Sequence, residues 1–184
     1  SGAAPSNTLT VLGCGNFKPS RTSAEIFVRG TTAYTTTWGN GASAGSVFYI
    51  WDVTGNAPQL VDSVKVEGSR TLGDIEVSDD GGYLFVAAEQ SGAFFVYSLA
   101  NPRQPALVTR FSSAEITPGV HTAEIARVNG KLYGFLCIDP GASPAKLVIV
   151  DLSNPASPQP VFSTFIGTPY VHDTFVRDGI LFLG

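Results

Sequence analysis

The sequence contains no methionine, only two cysteines and few charged residues, which make up 14% of the chain. Eleven lysines and arginines stand against 15 acidic residues, for a formal net charge of −4. Nucleic-acid-binding domains and polybasic membrane-surface segments need clusters of basic residues, and the sequence contains none. Its longest apolar runs, such as 46–51 and 132–138, fall well short of the ~18 residues of a membrane-spanning helix. We therefore expect no nucleic-acid partner and no transmembrane segment.

The missing methionine also bears on where the protein works. The first six residues, Ser-Gly-Ala-Ala-Pro-Ser, are typical of a chain that follows a removed signal peptide, although an engineered start has the same appearance. The low lysine content suits an exported protein. We expect an extracellular, periplasmic or cell-surface location.

The two cysteines lie far apart in the sequence. Cys14 is flanked by glycines, whereas Cys137 lies inside an apolar segment. One disulfide or two free thiols are both compatible with this arrangement. Neither cysteine has a C-x-x-C partner, which argues against a structural zinc site.

Hydrophobic residues form 43% of the 184 residues, beside 20 glycines and 12 prolines. A chain of this length has enough apolar residues for one domain with a core. Valine, isoleucine, threonine and aromatic residues are abundant, and these residue types favour β-strands. The composition predicts an all-β protein that forms a single domain over residues 1–184.

One sequence pattern occurs three times. It consists of an apolar strand, a turn that contains a proline, and a second strand. Its prolines, Pro58, Pro105 and Pro158, lie about 50 residues apart, within the range of propeller repeats. An apolar strand precedes each proline, at 47–51, 94–97 and 147–150, and a short strand follows it. Proline is excluded from central strands, so it marks the turn that leads to an edge strand.

A second recurring sequence pattern lies before each copy of the first pattern. Apolar strands at 26–28, 75–77, 125–128 and 175–176 end at glycine-containing pairs such as Asn129-Gly130 and Asp178-Gly179. These pairs supply the positive φ angles that tight hairpins need. Each pair leads into another strand, at 33–37, 83–88, 132–138 and 180–183.

Both sequence patterns together give four antiparallel strands per repeat, which is the pattern of β-propeller blades. Three blades are predicted at about 24–66, 73–111 and 120–166, with the start of a fourth at 170–184. Residues 8–12 are a candidate for a strand that closes the ring. A β-sandwich or an open meander is the alternative, but recurrence of whole four-strand units favours the propeller.

Residues 147–151 read Leu-Val-Ile-Val-Asp and continue into Leu-Ser-Asn-Pro. This phrase resembles the motif of the LVIVD-repeat β-propellers, and residues 48–52 and 95–98 resemble degenerate copies in which Ser98 replaces the motif aspartate. Residues 171–176, Val-His-Asp-Thr-Phe-Val, are also similar to a phrase of that family. The resemblance covers roughly residues 24–184 and implies a bacterial secreted or cell-surface propeller. It predicts the fold and leaves the activity open.

Three and a half blades are fewer than the four to eight of most propellers. We therefore expect either further blades in a longer chain or a partner that covers the open blade face.

Polar side chains at the starts of the inner strands are the candidate site. His121 and His172 precede equivalent inner strands, Asp74 and Glu25 precede the corresponding strands of other repeats, and Asp173 follows His172 directly. Imidazole and carboxylate groups around a channel are the ligands of a divalent metal ion, and we assign a candidate metal site to His121, His172, Asp173 and Asp74. Alternatively, these groups cap strand ends and join blades by hydrogen bonds. Whether a cofactor binds stays open.

The predicted function is a binding or scaffold module for a protein or glycan partner. The alternative is a metal-dependent enzyme with a histidine and carboxylate site at the mouth of the channel. A third interpretation is a subunit of a membrane-associated assembly that docks through the open blade face. The segment 41–45 matches Gly-x-Ser-x-Gly but lacks the strand-to-helix context of a hydrolase, so we interpret it as a flexible hairpin. Trp38 and Trp51 are assigned to packing within strands.

Overall fold

A computed structural model describes residues 10–11, 13–15, 20–40, 43–138, 145–167 and 171–184. Its strands form three four-stranded antiparallel sheets and a final hairpin, each in the order of the sequence. The first sheet comprises β1 (Thr22–Arg29), β2 (Thr32–Trp38), β3 (Val47–Asp52) and β4 (Gln59–Lys65). The second comprises β5 (Thr71–Val77), β6 (Tyr83–Glu89), β7 (Ala93–Ser98) and β8 (Ala106–Phe111). The third comprises β9 (Thr122–Val128), β10 (Lys131–Ile138), β11 (Ala145–Asp151) and β12 (Gln159–Gly167), and the hairpin pairs β13 (Thr174–Arg177) with β14 (Ile180–Leu183).

This architecture confirms the prediction of an all-β propeller with about three and a half blades. The sheets are numbered here as blades 1 to 3, and the hairpin is the first half of blade 4. One three-residue 3-10 turn, Ala114–Ile116, joins blades 2 and 3 and was not predicted. The assignment of residues 1–184 to a single domain stays a prediction, and most of the proposed closing strand at 8–12 lies outside the described residues.

Glycine and asparagine or aspartate make the tight turns between the first two strands of the blades. Asn129 and Gly130 have φ angles of 50° and 82°, and Asp178 and Gly179 have φ angles of 52° and 75°. Only glycine and short polar residues adopt this left-handed backbone at low cost. The local turn chemistry therefore fixes where each inner strand ends.

The blades pack face to face through strands that are apolar on both sides. On β6, Leu84 and Val86 belong to the core shared with blade 1, whereas Phe85 and Ala87 belong to the core shared with blade 3. Successive residues of a strand point to opposite faces, so a continuous apolar run fills both cores. At the first interface the rings of Phe48 and Tyr97 meet edge to face, with centroids 5.2 Å apart.

The motif aspartate caps the turn between the third and fourth strands. Asp52 and Asp151 each accept a hydrogen bond from the amide two residues further on, at 2.9 Å and 2.8 Å. Ser98, which replaces the aspartate in blade 2, accepts the equivalent bond at 3.3 Å. These Asx-type bonds start the turn that carries the Asn-Pro or Asn-Ala-Pro segment.

Inner strands of successive blades lie side by side. β1 contacts β5, β5 contacts β9, and β9 contacts β13. All four enter this arrangement in the same direction, because each blade begins at its inner strand and repeats the same order. Consequently, the first residues of these four strands, and the residues just before them, lie together at one end of the row of inner strands.

Candidate binding site at the start of the inner strands

A cavity of about 540 Å³ lies where the inner strands begin, and we call it the axial cavity. All four inner strands contribute to it, together with the end of β2. Its polar and aromatic lining residues are Ser23, Glu25, Trp38, Asp74, Glu76, His121, Thr122, Glu124, His172, Asp173, Thr174 and Phe175. The four residues of the predicted metal site therefore share one cavity.

Asp74 joins blade 2 to blade 3. Its carboxylate accepts the amide of Ile75 at 2.7 Å and the amide of Ala123, on the next inner strand, at 2.8 Å. The residue is only 7% exposed. Burial raises the pKa of Asp74 to about 6, against the opposing effect of the two amides. Because both oxygens are engaged by backbone amides, this residue serves the contact between blades.

Glu76 and Glu124 extend the acidic wall. Burial and the neighbouring carboxylates, Asp74 first among them, raise the pKa of Glu76 to about 9. Glu124 accepts the amide of Val176 at 3.2 Å and so joins blade 3 to blade 4. Burial also raises the pKa of Glu124. Glu76 is thus protonated at neutral pH and is able to donate a hydrogen bond into the cavity.

Glu25 and Asp173 are the exposed carboxylates of the wall. Each accepts the amide of the residue that follows it, Ile26 at 2.8 Å and Thr174 at 2.7 Å. A single local bond leaves the carboxylate with further acceptor capacity. These two side chains are therefore the ones best placed to meet a partner from solvent.

The two histidines converge. Their ring centroids are 5.0 Å apart with an interplanar angle of 79°, and Trp38 lies edge-on to His121 at 6.0 Å. The Nδ1 atom of His121 is paired with the carboxylate of Glu89. The carbonyl of His172 accepts a hydrogen bond from the Thr122 hydroxyl at 2.9 Å, which ties the loop before β13 to blade 3.

The predicted metal site stays a prediction. Among the described residues, no three histidine, cysteine, aspartate or glutamate side chains gather closely enough to hold a metal ion. Convergence of the two imidazoles satisfies part of the requirement, whereas Asp74 is committed to backbone amides.

The lining residues of the axial cavity include five acidic side chains, of which Glu76 is protonated at neutral pH, and, among the residues that the structure describes, neither lysine nor arginine. Two imidazoles and the rings of Trp38 and Phe175 complete the wall. Carboxylates and aromatic rings in a concave site attract cationic groups, through Coulomb forces and cation–π contact. The chemistry of the lining therefore suits a ligand group that carries positive charge.

Comparison with known proteins identifies the repeat. Residues 135–164 match the family model of the LVIVD repeat. The chain carries an LVIVD repeat. In the structure this segment includes the second half of β10, all of β11 and the first part of β12, so the LVIVD repeat corresponds to the outer part of blade 3. The resemblance predicted from residues 147–151 is confirmed. No curated protein gives a significant match to the chain.

Solved structures share the fold of this chain at low sequence identity. Sqt1 from Saccharomyces cerevisiae is 14% identical with a TM-score of 0.57, over 85% of this chain and 42% of its own. A functionally unknown protein from Desulfotomaculum acetoxidans is 13% identical with a TM-score of 0.58, over 79% and 43%. Hydrazine synthase from Kuenenia stuttgartiensis is 15% identical with a TM-score of 0.54, over 73% and 34%. At such identities the likeness shows the fold alone, and the chain spans about two fifths of the length of the first two proteins.

Both cysteines of the LVIVD-repeat chain are free thiols, which answers the question left open by the sequence. Cys14 is exposed and Cys137 is buried in β10. Burial raises the pKa of the Cys137 thiol to about 11. A thiol of that pKa is a poor nucleophile near neutral pH.

Three residues of the axial cavity region were not identified from the sequence. Glu89 contacts His121 although 32 residues separate them, a contact that only the packing of blades creates. Glu76 is surrounded by four other acidic side chains. The sequence signal for it was its position two residues after Asp74 on β5, which places both side chains on the same face of the strand. Trp38, assigned to packing, also lines the cavity because β2 ends beside the start of the inner strands.

Proposed function

We propose that this chain is an exported binding module that holds a protein or glycan partner at the axial cavity. The observation that carries the proposal is a preformed concave site on which two imidazoles, two aromatic rings and five acidic side chains converge. The low charge content and the resemblance to secreted LVIVD-repeat propellers support a location outside the cytoplasm. Among the described residues there is no helix with the length and apolarity needed to cross a bilayer.

The surface chemistry favours a protein partner that presents lysine or arginine side chains. Glu25 and Asp173 are exposed, each accepts one local hydrogen bond from the described residues, and both stand at the mouth of a cavity rich in acidic groups. Complementary charge steers such a partner toward the site and fixes its orientation. Removing charge from the mouth should therefore slow association.

A matched pair of double variants tests this proposal. Glu25→Gln with Asp173→Asn removes two charges from the cavity mouth, and Asp62→Asn with Glu67→Gln removes two exposed charges elsewhere. Binding is measured on arrays of lysine- and arginine-containing peptides and of glycans. We expect the first double variant to lose at least about tenfold in affinity for cationic peptides, equivalent to ~1.4 kcal/mol, and the second to bind as the wild type does. Equal losses in both variants, or glycan binding that neither variant changes, would contradict a cationic partner at the cavity.

A metal-dependent enzyme is the second candidate, and the 5.0 Å separation of the two imidazole rings is the observation in its favour. Two imidazoles, completed by Asp173, would bind Zn²⁺ at nitrogen distances of about 2.0–2.1 Å. The test is calorimetric titration of the protein with Zn²⁺ alone. Saturable binding that is lost in both His121→Ala and His172→Ala supports the metal site, and binding that survives in either variant overturns it.

A further inference from the structure

Glu89 reaches the axial cavity through His121, although it does not belong to the lining of the cavity. It is the last residue of β6, on the second strand of blade 2. Its side chain is 20% exposed and that of His121 is 12% exposed. The pair is thus largely withdrawn from water, where a hydrogen bond between charged or polar groups is strongest.

Backbone contacts from both neighbouring blades fix the position of His121. Val120 donates its amide to the Ala88 carbonyl at 3.0 Å, and His121 donates its own amide to the Cys137 carbonyl at 2.8 Å. Gly119, at a φ of 107°, makes this approach feasible, because a Cβ atom there would lie 2.4 Å from the Gln90 nitrogen. The imidazole is therefore held against the end of β6 by the backbone on either side of it.

A carboxylate accepts hydrogen bonds and donates none. The Nδ1 atom of His121 must consequently carry the hydrogen in its pairing with ionised Glu89. In a neutral imidazole the other nitrogen, Nε2, then has a lone pair and acts as an acceptor or a ligand. Which nitrogen is protonated thus follows from the partner of the other nitrogen.

We propose that Glu89 is the positioning residue of the axial cavity, which holds neutral His121 as the Nδ1–H tautomer. The inference rests on the proposed function only in that His121 belongs to the binding cavity. With this tautomer, Nε2 of His121 carries a lone pair and Nδ1 carries the hydrogen, so Glu89 sets the hydrogen-bonding character of the ring that lies beside His172 and Trp38.

The ring nitrogens report the tautomer directly. Protein labelled with ¹⁵N in its histidine rings is studied by two-bond ¹H–¹⁵N NMR at a pH above the imidazole titration, which is ~6.5 in the unperturbed group. We expect wild-type His121 to show a protonated Nδ1 and an unprotonated Nε2. Glu89→Gln keeps an accepting carbonyl and should keep this tautomer, whereas Glu89→Leu should shift His121 toward the Nε2–H form.

Within the described part of the chain His172 does not pair with Glu89, so it serves as an internal reference whose tautomer should be the same in all three proteins. A wild-type His121 in the Nε2–H form would overturn the inference, whatever happens in the variants. So would a Glu89→Leu variant whose His121 spectrum is unchanged. Because no ligand enters the measurement, failure of the partner-binding proposal and failure of this inference give separate results.

Discussion

Single residues of the axial cavity determine how the stability of the protein depends on pH. Glu76 stands among Asp74, Glu124, Glu25 and Asp173, and burial with this surrounding charge raises its pKa from 4.5 to about 9. Above pH 4.5 the unfolded chain loses the proton of Glu76 while the folded protein retains it. The free energy of unfolding therefore falls as the pH rises from about 4.5 to about 9.

Glu76→Gln should remove this penalty. A neutral amide does not ionise in either state, so the variant should be more stable than the wild type at pH 8 by at least ~1.4 kcal/mol, the equivalent of one pKa unit. At pH 4 the two proteins should differ little. Urea unfolding followed at both pH values measures the difference, and Glu67→Gln, an exposed residue, is the control. Parallel pH profiles for the wild type and Glu76→Gln would contradict the raised pKa.

Asp74 is buried like Glu76, but both of its oxygens accept backbone amides. Burial raises the pKa of Asp74 as it does that of Glu76, so the two residues differ in their bonding and not in the direction of the shift. Asp74→Asn leaves one accepting oxygen for the two amides of Ile75 and Ala123 and places an NH₂ group against the other amide. We expect a loss of ~1–3 kcal/mol in the free energy of unfolding at pH 7, the usual effect of an unsatisfied buried polar group. Asp62→Asn is the matched control, since Asp62 bonds only the next amide, at 2.7 Å, on an exposed strand. An equal effect in both variants would show that the bond between blades is unimportant.

At the scale of elements, the turn between the third and fourth strands has two roles. Asp52 and Asp151 both cap their own turns, but Asp52 also pairs with Arg103 in the corresponding turn of the next blade. In blade 2 the aspartate is replaced by Ser98, and the residue of blade 3 equivalent to Arg103 is Ala156. The interface between blades 2 and 3 therefore lacks both residues of the ion pair that Asp52 and Arg103 form between blades 1 and 2.

Asp52→Ala should lower the urea midpoint more than Asp151→Ala, because it removes a turn cap together with a pairing to the next blade. Asp151→Ala removes a turn cap and a longer contact, at 3.8 Å, with exposed Lys131 of its own blade. Arg103→Ala in the Asp52→Ala background should then have less effect than in the wild type. Salt should reduce this difference, since both partners of the pair are partly exposed. Equal midpoints for the two aspartate variants, or full additivity, would contradict a role for the pair between blades.

Local signals made the strands predictable, whereas contacts between blades were beyond the sequence. Asn129-Gly130 fixes a turn by its own backbone preference, so the strands around it were placed correctly. The pairing of Glu89 with His121 depends on how blade 3 meets blade 2, and no local pattern encodes it. Repeat equivalence predicted the gathering of His121 and His172 in one cavity, and the alternative of hydrogen bonds between blades describes Asp74, but the two amides that Asp74 accepts were not predictable from the sequence. The repeat period thus predicts which residues occupy equivalent positions in successive blades, and the packing of the blades decides which residues they contact.

For the whole molecule, burial differs among the blades and predicts an order of local opening. β6 and β7 are covered on both faces, by blade 1 and by blade 3, while Phe162 on β12 and Phe175 on β13 remain more than half exposed. Amide hydrogen exchange should therefore be slowest in β6 and β7 and faster in β12 and in the hairpin of β13 and β14, because few buried contacts resist opening there. Exchange followed by mass spectrometry on peptides from each strand measures this order. Uniform protection across all strands would mean that another surface covers the exposed face in solution, and the same experiment at several protein concentrations would show whether that surface is a second copy of the chain.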